Sequence, residues 1–398
     1  MIPISTITVM SRIRRRSPIY GISIGIVTLL VLLSHVALVG NGRSAPSEQI
    51  IAVLPTAPAF VLDDVAQHRE PPPPPPPLPP PAPVVSAARK PKARPTPKPA
   101  AAKAAPAVNL DVYRGLGAWV DIYDTGLDPT ATIEEMHRRG VQSLYLETNN
   151  YRSGASNACE YGPDVDIRHP EVVAEYLDQA NKRSMNVVAW YLPGFADIER
   201  DIKRSLAAIN FVTNAGNRFD GFAPDIETRG EFGCAGVPAS EVREKFNAAI
   251  VEYTQRLRSS LPADKVLGAI VVDAKNNEKS PGRWEGFPWP EIGKHYDVIL
   301  PMAYWTASPD NGGCPGADVD TRSYMHQVVD KTSALMRVSK PFHLIGGVAN
   351  CISQVETAGY VTGSKERGTL GVSLYDFSTT EANSAREGLW AELSRFGS

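Results

Sequence analysis

The 398-residue sequence is poor in the side chains that bind metal ions, with only four cysteines and seven histidines. It contains no Cys-x-x-Cys pair, and none of its histidines stands at the spacing of a zinc-ligand set. A metal site is therefore not expected, and no other cofactor is predicted. The same shortage argues against metal-dependent phosphodiester chemistry, which uses histidines together with acids.

The sequence also lacks an excess of charge of either sign, since 41 lysines and arginines are balanced by 43 aspartates and glutamates. Nucleic-acid-binding domains usually carry a clear basic excess. We therefore expect no nucleic-acid partner.

Charged residues are absent from residues 19–39, IYGISIGIVTLLVLLSHVALV, which follow the basic cluster RIRRR at 12–16. A helix of this length reaches about 31 Å, enough to cross the hydrocarbon core of a bilayer. Because the basic cluster comes first, the N-terminus should stay in the cytoplasm. Residues 1–40 are thus predicted to be a basic tail and a single-pass membrane anchor, with the rest of the chain extracytoplasmic. A cleaved signal peptide is the alternative and would make the protein secreted.

Residues 41–108 are predicted to form a disordered, proline-rich linker. An unbroken run of prolines covers 71–77, and further prolines extend to residue 106. Such a segment forms a stiff, extended spacer that suits a stalk across a periplasm or through a cell wall. The basic residues of its second half are either simply solvated or in contact with an anionic surface: Arg89, Lys90, Lys92, Arg94, Lys98 and Lys103.

Residues 109–398 alternate short apolar runs with amphipathic segments, a pattern typical of strand–helix units. Eight such strands in succession predict a (β/α)8 TIM barrel of the α/β class. A doubly wound sheet is the alternative, but it usually carries a glycine-rich phosphate loop after its first strand, and none is present. The strands are predicted at 115–123, 143–149, 186–193, 219–227, 266–274, 297–305, 343–350 and 368–377.

Disulfides are expected because an even number of cysteines lies in a translocated domain. Each cysteine follows a predicted strand, which places all of them in loops at one barrel face: Cys159, Cys234, Cys314 and Cys351. Pairing Cys314 with Cys351 would join adjacent loops, and pairing Cys159 with Cys234 would span the third strand. Four cysteines allow three connectivities, and the sequence leaves the choice open.

The stretch FDGFAPDIE at 219–227 places two acids, Asp225 and Glu227, on the same strand face as Ala223. Barrel active sites lie at the carboxyl ends of the strands, so this face should point into the barrel mouth. Acids and aromatic side chains gather at the other strand ends too, an arrangement typical of sites that bind and cleave carbohydrates. The predicted substrate-binding residues are Asp121, Glu147, Asn149, Tyr191, Asp273, Met302, Trp305 and Tyr375, with Trp190 as a further sugar platform.

The fourth strand resembles the D-G-x-D-x-D-x-E motif of family 18 glycoside hydrolases, the chitinase-like barrels. Asp220, Gly221, Asp225 and Glu227 match this motif, and Ala223 replaces its central aspartate. Uncharacterised glycosidase-like barrels with one acid on this strand are also compatible.

The sixth strand, YDVILPMAYW, is similar to the M-x-Y-D segment of the same family. Met302 and Tyr304 match, and Trp305 replaces the aspartate. The resemblance implies that Glu227 is the general acid and that Asp225 orients an N-acetyl group, to which Tyr304 donates a hydrogen bond. A substrate without that group would need a second carboxylate, for which the candidates are Asp121, Asp124, Glu147 and Asp273.

We therefore expect a membrane-tethered glycoside hydrolase that acts on an amino-sugar or other cell-envelope glycan. The alternative is a non-catalytic barrel that binds carbohydrate, which the replacements at Ala223 and Trp305 favour. A purely structural envelope protein is a third hypothesis. The clustering of acids at one barrel face argues against it.

Overall fold

The computed structural model describes residues 108–152, 164–275, 284–307 and 319–397. The predicted anchor at 19–39 lies outside these residues, as does the linker apart from Val108, so both stay predictions. In the described part of the chain, no helix combines the length and the apolar character needed to span a membrane.

The eight predicted strands are confirmed, and they form a closed barrel in chain order. All neighbouring strands are parallel, and β1 pairs with β8 to complete the ring. The strands are β1 (Gly115–Val120), β2 (Ser143–Asn150), β3 (Asn186–Leu192), β4 (Gly221–Ile226), β5 (Gly268–Val272), β6 (Val298–Ala303), β7 (His343–Val348) and β8 (Gly371–Tyr375).

Helices return the chain from one strand to the next around the outside of the barrel. Their starts follow ordinary capping rules: the Asp128 carboxylate accepts a hydrogen bond from the Ala131 amide at 2.8 Å, and Pro129 comes directly after the cap. The described helices are α1 (Pro129–Arg138), α2 (Pro170–Asn181), α3 (Ile198–Asn210), α4 (Gly230–Cys234), α5 (Ala239–Ser259), α6 (Trp289–His295), α7 (Thr321–Met336), α8 (Gln354–Glu366), α9 (Phe377–Ala382) and α10 (Arg386–Ser394).

Two buried apolar layers follow from the alternation of side chains along each strand. On β4, Ala223 belongs to the layer inside the barrel, whereas Phe222 and Ile226 belong to the layer between strands and helices. The interior layer also contains aromatic rings, including Trp119, Tyr145 and Trp190. The barrel interior is therefore a packed core, and space for a ligand lies at its mouth.

The amino-terminal end of the barrel is filled by Tyr113, which lies just before β1. Its hydroxyl donates to the Phe222 carbonyl at 2.9 Å, and its side chain is fully buried. A Cβ atom on Gly268 would lie 2.8 Å from the Tyr113 ring, so this position of β5 has no room for a side chain. The end opposite the mouth is thus closed by packing.

A buried hydrogen-bond network links three strands inside the barrel. His343 Nδ1 lies 3.0 Å from the Tyr113 carbonyl oxygen, which can only accept, so Nδ1 carries the proton. Nε2 then accepts from the Ser373 hydroxyl at 3.0 Å, and Ser373 accepts from the Trp119 indole at 2.8 Å. Burial lowers the pKa of His343 to about 4, which keeps the imidazole neutral.

Replacing Ser373 with alanine should lower the free energy of unfolding by about 1–3 kcal/mol, because Trp119 and His343 both lose a buried partner. The measurement is the midpoint of urea-induced unfolding. Thr362→Ala is the matched control, since the Thr362 hydroxyl donates within the exposed surface of α8. An equal loss in both variants would show that the interior network does not stabilise the barrel.

Candidate active site

Asp225 stands at the end of β4, on the inward face that the alternation of β4 predicts. Its side chain is 8% exposed, and its Oδ1 atom has no hydrogen-bond partner among the described residues. Burial raises the pKa of Asp225 well above its usual range, and the charges of Glu227 and Glu147 raise it further. A buried carboxylate oxygen without a donor is costly, which makes it a mark of a site that receives a proton or a ligand.

Glu147 brings a second buried carboxylate to the same place from β2. It is 3% exposed, and its Oε2 atom accepts from the Ile122 amide at 2.9 Å. Burial raises the pKa of Glu147 well above its usual range, with Asp121 and Glu227 adding to the effect. Glu227 therefore lies close enough to act electrostatically on both Asp225 and Glu147.

A bulge in β2 decides which residues share the face of Glu147. The register with β3 shifts between Glu147 and Asn149, so Asn149 lies beside Tyr191 and Asn150 beside Leu192. The Asn150 amide consequently reaches Glu147 Oε1 at 3.4 Å. Asn149 turns the other way and donates to the Val165 carbonyl at 2.7 Å.

Two tyrosines complete the mouth: Tyr304, directly after β6, and Tyr375, at the end of β8. Burial raises the pKa of Tyr304, and the charges of Asp225 and Glu227 raise it further, so its hydroxyl keeps its proton and can donate a hydrogen bond. The ring of Tyr375 lies 6.2 Å from that of Tyr304, and its hydroxyl donates to Asp121 at 3.1 Å. Met302, two residues before Tyr304, also belongs to the interior layer.

Three further carboxylates, of Asp121, Asp124 and Asp376, lie where β8 meets β1. One carboxylate oxygen from each of the three lies within 4.8 Å of the other two. In the described part of the chain, this is the one group of such side chains whose spacing would suit a cation. Burial and the charge of Asp121 raise the pKa of Asp124 to about 6. Burial also raises the pKa of Asp121.

The floor of the mouth is aromatic. Trp119 stacks on Tyr145 with ring centroids 4.2 Å apart, and Trp190 meets Trp119 edge-on at 5.9 Å. The Trp190 ring also lies 6.5 Å from Tyr375. Its indole Nε1 is buried and has no acceptor among the described residues. Side chains alternate along β3, and Val188 and Trp190 face inward. Alternation alone therefore predicts Trp190, and not its neighbour Tyr191, as the substrate-binding residue of this strand.

Four of the predicted substrate-binding side chains point away from the mouth. Tyr191 donates to Asp201 on α3 at 2.6 Å, and Asp273 accepts a hydrogen bond from Tyr324 on α7. Trp305 is fully buried and donates to Glu356 of α8 at 3.2 Å. Tyr191 and Trp305 each directly follow an inward-facing residue, so alternation turns them outward. Asp273 lies just beyond β5 on its outward side. Asn149 is turned outward by the bulge in β2.

The structure brings the other predicted residues together. The mouth group is defined here as the set that faces the carboxyl end of the barrel: Asp121, Glu147, Asp225, Glu227, Met302, Tyr304 and Tyr375. Asp220 supports this group from below, because its carboxylate accepts from the Val187 amide at 2.8 Å at the start of β3.

The cysteine pairing stays a prediction. Cys159 and Cys314 lie outside the described residues, and nothing is described of the Cys351 side chain. Cys234, at the end of α4, is not a free thiol.

No family model and no curated protein sequence matches the chain. Among solved structures, the family GH18 chitinase of Cycas revoluta in complex with allosamidin has a TM-score of 0.49 and 12% identity, covering 71% of this chain and 99% of the chitinase. The PgaB (BpsB) glycoside hydrolase domain of Bordetella bronchiseptica has a TM-score of 0.47 and 13% identity, with coverage of 71% and 99%. The spore cortex-lytic enzyme SleL of Bacillus cereus has a TM-score of 0.47 and 10% identity, with coverage of 71% and 74%.

These similarities concern the fold. The described residues form a TIM barrel by their own strand order. At this identity, the activity has to be argued from the side chains of the mouth group.

Asp225→Asn should stabilise the protein at neutral pH. Folding raises the pKa of Asp225, so the protonated side chain contributes stability at low pH. This stability is lost as the pH rises from the unfolded-state pKa through the folded-state pKa. Removing the charge should therefore raise the unfolding free energy at pH 7 by about 1 kcal/mol, or roughly 2–4 °C in melting temperature. The gain should shrink as the pH is lowered toward 4.

Thermal unfolding of both proteins at pH 7 and pH 4.5 measures this difference. Asp330→Asn, at an exposed position on α7, is the control for loss of one negative charge. A variant that is less stable than the wild type at pH 7 would show that the Asp225 carboxylate has stabilising partners in the folded protein.

Proposed function

We propose that this protein is a glycoside hydrolase that acts on an amino-sugar glycan, with Glu227 as the general acid. The observation that carries the proposal is the buried Oδ1 atom of Asp225, which has no partner among residues 108–152, 164–275, 284–307 and 319–397. It is set among Glu227, Glu147 and Tyr304 at the carboxyl ends of the strands. Asp225 Oδ1 can accept a hydrogen bond from an N–H group of a ligand, and the Tyr304 hydroxyl and the Glu227 carboxyl group lie beside it.

Glu227 donates its proton to the glycosidic oxygen as the bond to the anomeric carbon breaks. Burial raises the pKa of its neighbours Asp225 and Glu147, and the charge of Glu227 raises both further. Carboxyl groups that resist ionisation keep a proton close to the glycosidic oxygen, which suits general-acid catalysis.

Asp225 and Tyr304 act on the acetamido group of the reacting sugar. The acetamido N–H donates to Asp225 Oδ1, and the Tyr304 hydroxyl donates to the carbonyl oxygen. That oxygen attacks the anomeric carbon and forms a cyclic oxazolinium ion as the leaving sugar departs with the proton of Glu227. Water, deprotonated by the Glu227 carboxylate, then opens the ring and restores both groups.

Glu147 compensates in part for the aspartate that Ala223 replaces. It pairs across the sheet with Trp190, which in turn lies beside Ala223 of β4, so its carboxylate enters the mouth from the next strand but one. For a substrate without an acetamido group, Glu147 is the second carboxylate that we favour over Asp273, whose side chain bonds to α7.

The site of action that we propose is the cell envelope, with the barrel held outside the membrane by residues 19–39. This part of the proposal rests on the sequence alone, through the basic cluster, the apolar run and the proline-rich linker. A non-catalytic carbohydrate-binding barrel is the second candidate function, and Ala223 supports it by removing one acid from the motif.

Glu227→Gln should lower kcat on chitin-type and cell-wall oligosaccharides by about 10²–10⁴-fold, because no proton reaches the leaving oxygen. Binding should change little, since glutamine has nearly the same shape. Product release and calorimetric binding are measured together on wild type, Glu227→Gln and Asp225→Asn. Glu244→Gln, exposed on α5, is the matched control.

Cleavage by the wild type that survives in Glu227→Gln would remove Glu227 from the proposed role. Binding without cleavage by any of the four proteins would favour the carbohydrate-binding function instead. The stability measured for Asp225→Asn separates a loss of chemistry from a loss of folding.

A further inference from the structure

Tyr123 is the one aromatic side chain that stands exposed in the part of the chain that the structure describes. It is 55% exposed, whereas the rings of the mouth floor, such as Trp119 and Trp190, are buried. Exposure alone does not make a site, since single apolar side chains are common on protein surfaces. What distinguishes Tyr123 is its position at the barrel mouth and the way in which its ring is held.

The turn after β1 places Tyr123 at the rim of the mouth. The Asp124 amide donates to the Asp121 carbonyl oxygen at 3.2 Å, which closes a turn over residues 121–124. The Tyr123 amide donates to one oxygen of the Asp121 carboxylate at 2.7 Å. The other oxygen accepts from Tyr375, at the end of β8. The backbone of Tyr123 is thus tied to the mouth group through Asp121.

Asn150, at the end of β2, holds the other end of the Tyr123 side chain. Its side-chain amide donates to the Tyr123 hydroxyl oxygen at 3.0 Å and to Glu147 Oε1 at 3.4 Å. The bulge in β2 gives Asn150 this position, where it is buried. Tyr123 is therefore fixed at its backbone and at its hydroxyl, while more than half of its surface stays open.

A ring held in this way is preorganised for stacking. An exposed side chain normally loses rotamer freedom when a ligand orders it, and that loss weakens binding. Tyrosine has only two side-chain torsions, and the hydrogen bond from Asn150 restricts both before any ligand arrives. The C–H face of a pyranose ring is apolar, so stacking it on Tyr123 removes apolar surface of both groups from water.

We propose that Tyr123 is the platform for the sugar unit next to the one that reacts, in a subsite at the rim of the mouth. This inference rests on the proposed function and adds a second binding position to the glycan groove. Asp225 Oδ1 and Trp190 Nε1 are buried at the mouth and have no partner among the described residues, which suits them to the reacting sugar. Tyr123 lies outside that position and is joined to Glu147 by the amide of Asn150.

A sugar fits this platform better than a protein partner does. A stable protein interface buries about 800 Å² on each side, and its centre is poor in charged residues. Tyr123 instead is a single exposed ring in a turn that also contains Asp121 and Asp124. One flat apolar surface among polar groups matches a pyranose, which has an apolar face and a rim of hydroxyls. Since the Tyr123 oxygen already accepts from Asn150, its proton can be donated to one of those hydroxyls.

The test measures binding by the full-length protein carrying Glu227→Gln, so that the probe is not cleaved. The probe is an N-acetylglucosamine hexasaccharide, followed by isothermal titration. Adding Tyr123→Ala should weaken binding about tenfold, and Tyr123→Leu, which keeps apolar area without a flat ring, should weaken it nearly as much. Tyr123→Phe should stay within about threefold of the parent, because it keeps the ring and loses only the bond from Asn150.

Leu335→Ala is the matched control, since it removes an exposed apolar side chain near the end of α7, on the barrel face opposite the mouth. Melting temperatures of all these variants should agree within about 3 °C, because the substituted side chains are exposed. With Glu227 restored, Tyr123→Ala should raise KM about tenfold and change kcat less than about threefold, as the ring does not contact the reacting atoms.

Unchanged affinity in Tyr123→Ala would overturn the inference. So would an equal loss in the alanine, leucine and phenylalanine variants, which would assign the effect to the hydroxyl, or a similar loss in Leu335→Ala. If the wild type cleaves the hexasaccharide and Tyr123→Ala leaves KM unchanged, the proposed function stands and the platform does not. If Tyr123→Ala loses affinity but the wild type cleaves nothing, the platform is supported and the hydrolase is not. Absence of binding by the parent would contradict both.

Discussion

Repulsion among carboxyl groups in a dry volume is the constraint on which the mouth of this barrel depends. Asp225 and Glu147 come from different strands, and the charge of Glu147 adds to burial in raising the pKa of Asp225. Free side chains would separate or take up water. Here the backbone of a closed sheet fixes their positions, because each inward residue is set by pairing on both sides. The rigidity of the ring is therefore what keeps the acids together.

The amino-terminal part of the barrel stabilises the fold, whereas the mouth contributes less to stability. Tyr113 closes one end, and a chain of hydrogen bonds from Trp119 through Ser373 to His343 satisfies the polar atoms of these three side chains. At the mouth, in contrast, Asp225 Oδ1 and Trp190 Nε1 have no partner within the part of the chain that the structure describes. Unsatisfied polar groups at a binding site are typical of enzymes, where such groups are preorganised at the expense of stability.

Much of the barrel could be predicted because its strands are short apolar runs that end in polar residues, and because β4 keeps a regular alternation through Asp225. The same rule would have placed Trp190 inward instead of Tyr191, and Tyr304 inward instead of Trp305. Asp273 follows the same rule, because it lies three residues after the inward-facing Ile270, and its outward side chain then bonds to Tyr324. Asn149 is the exception, since it is displaced by a bulge that no residue pattern announces.

The bulge in β2 has a consequence for recognising relatives of this protein. In a regular strand, a partner of Glu147 on the same face would stand two residues later, as Glu-x-Asn. The extra residue makes the spacing here Glu-x-x-Asn, from Glu147 to Asn150. Two homologues could thus share the same pair in space while a gap-free alignment set Asn150 against an unrelated position. Spatial superposition would recover an equivalence that sequence spacing conceals.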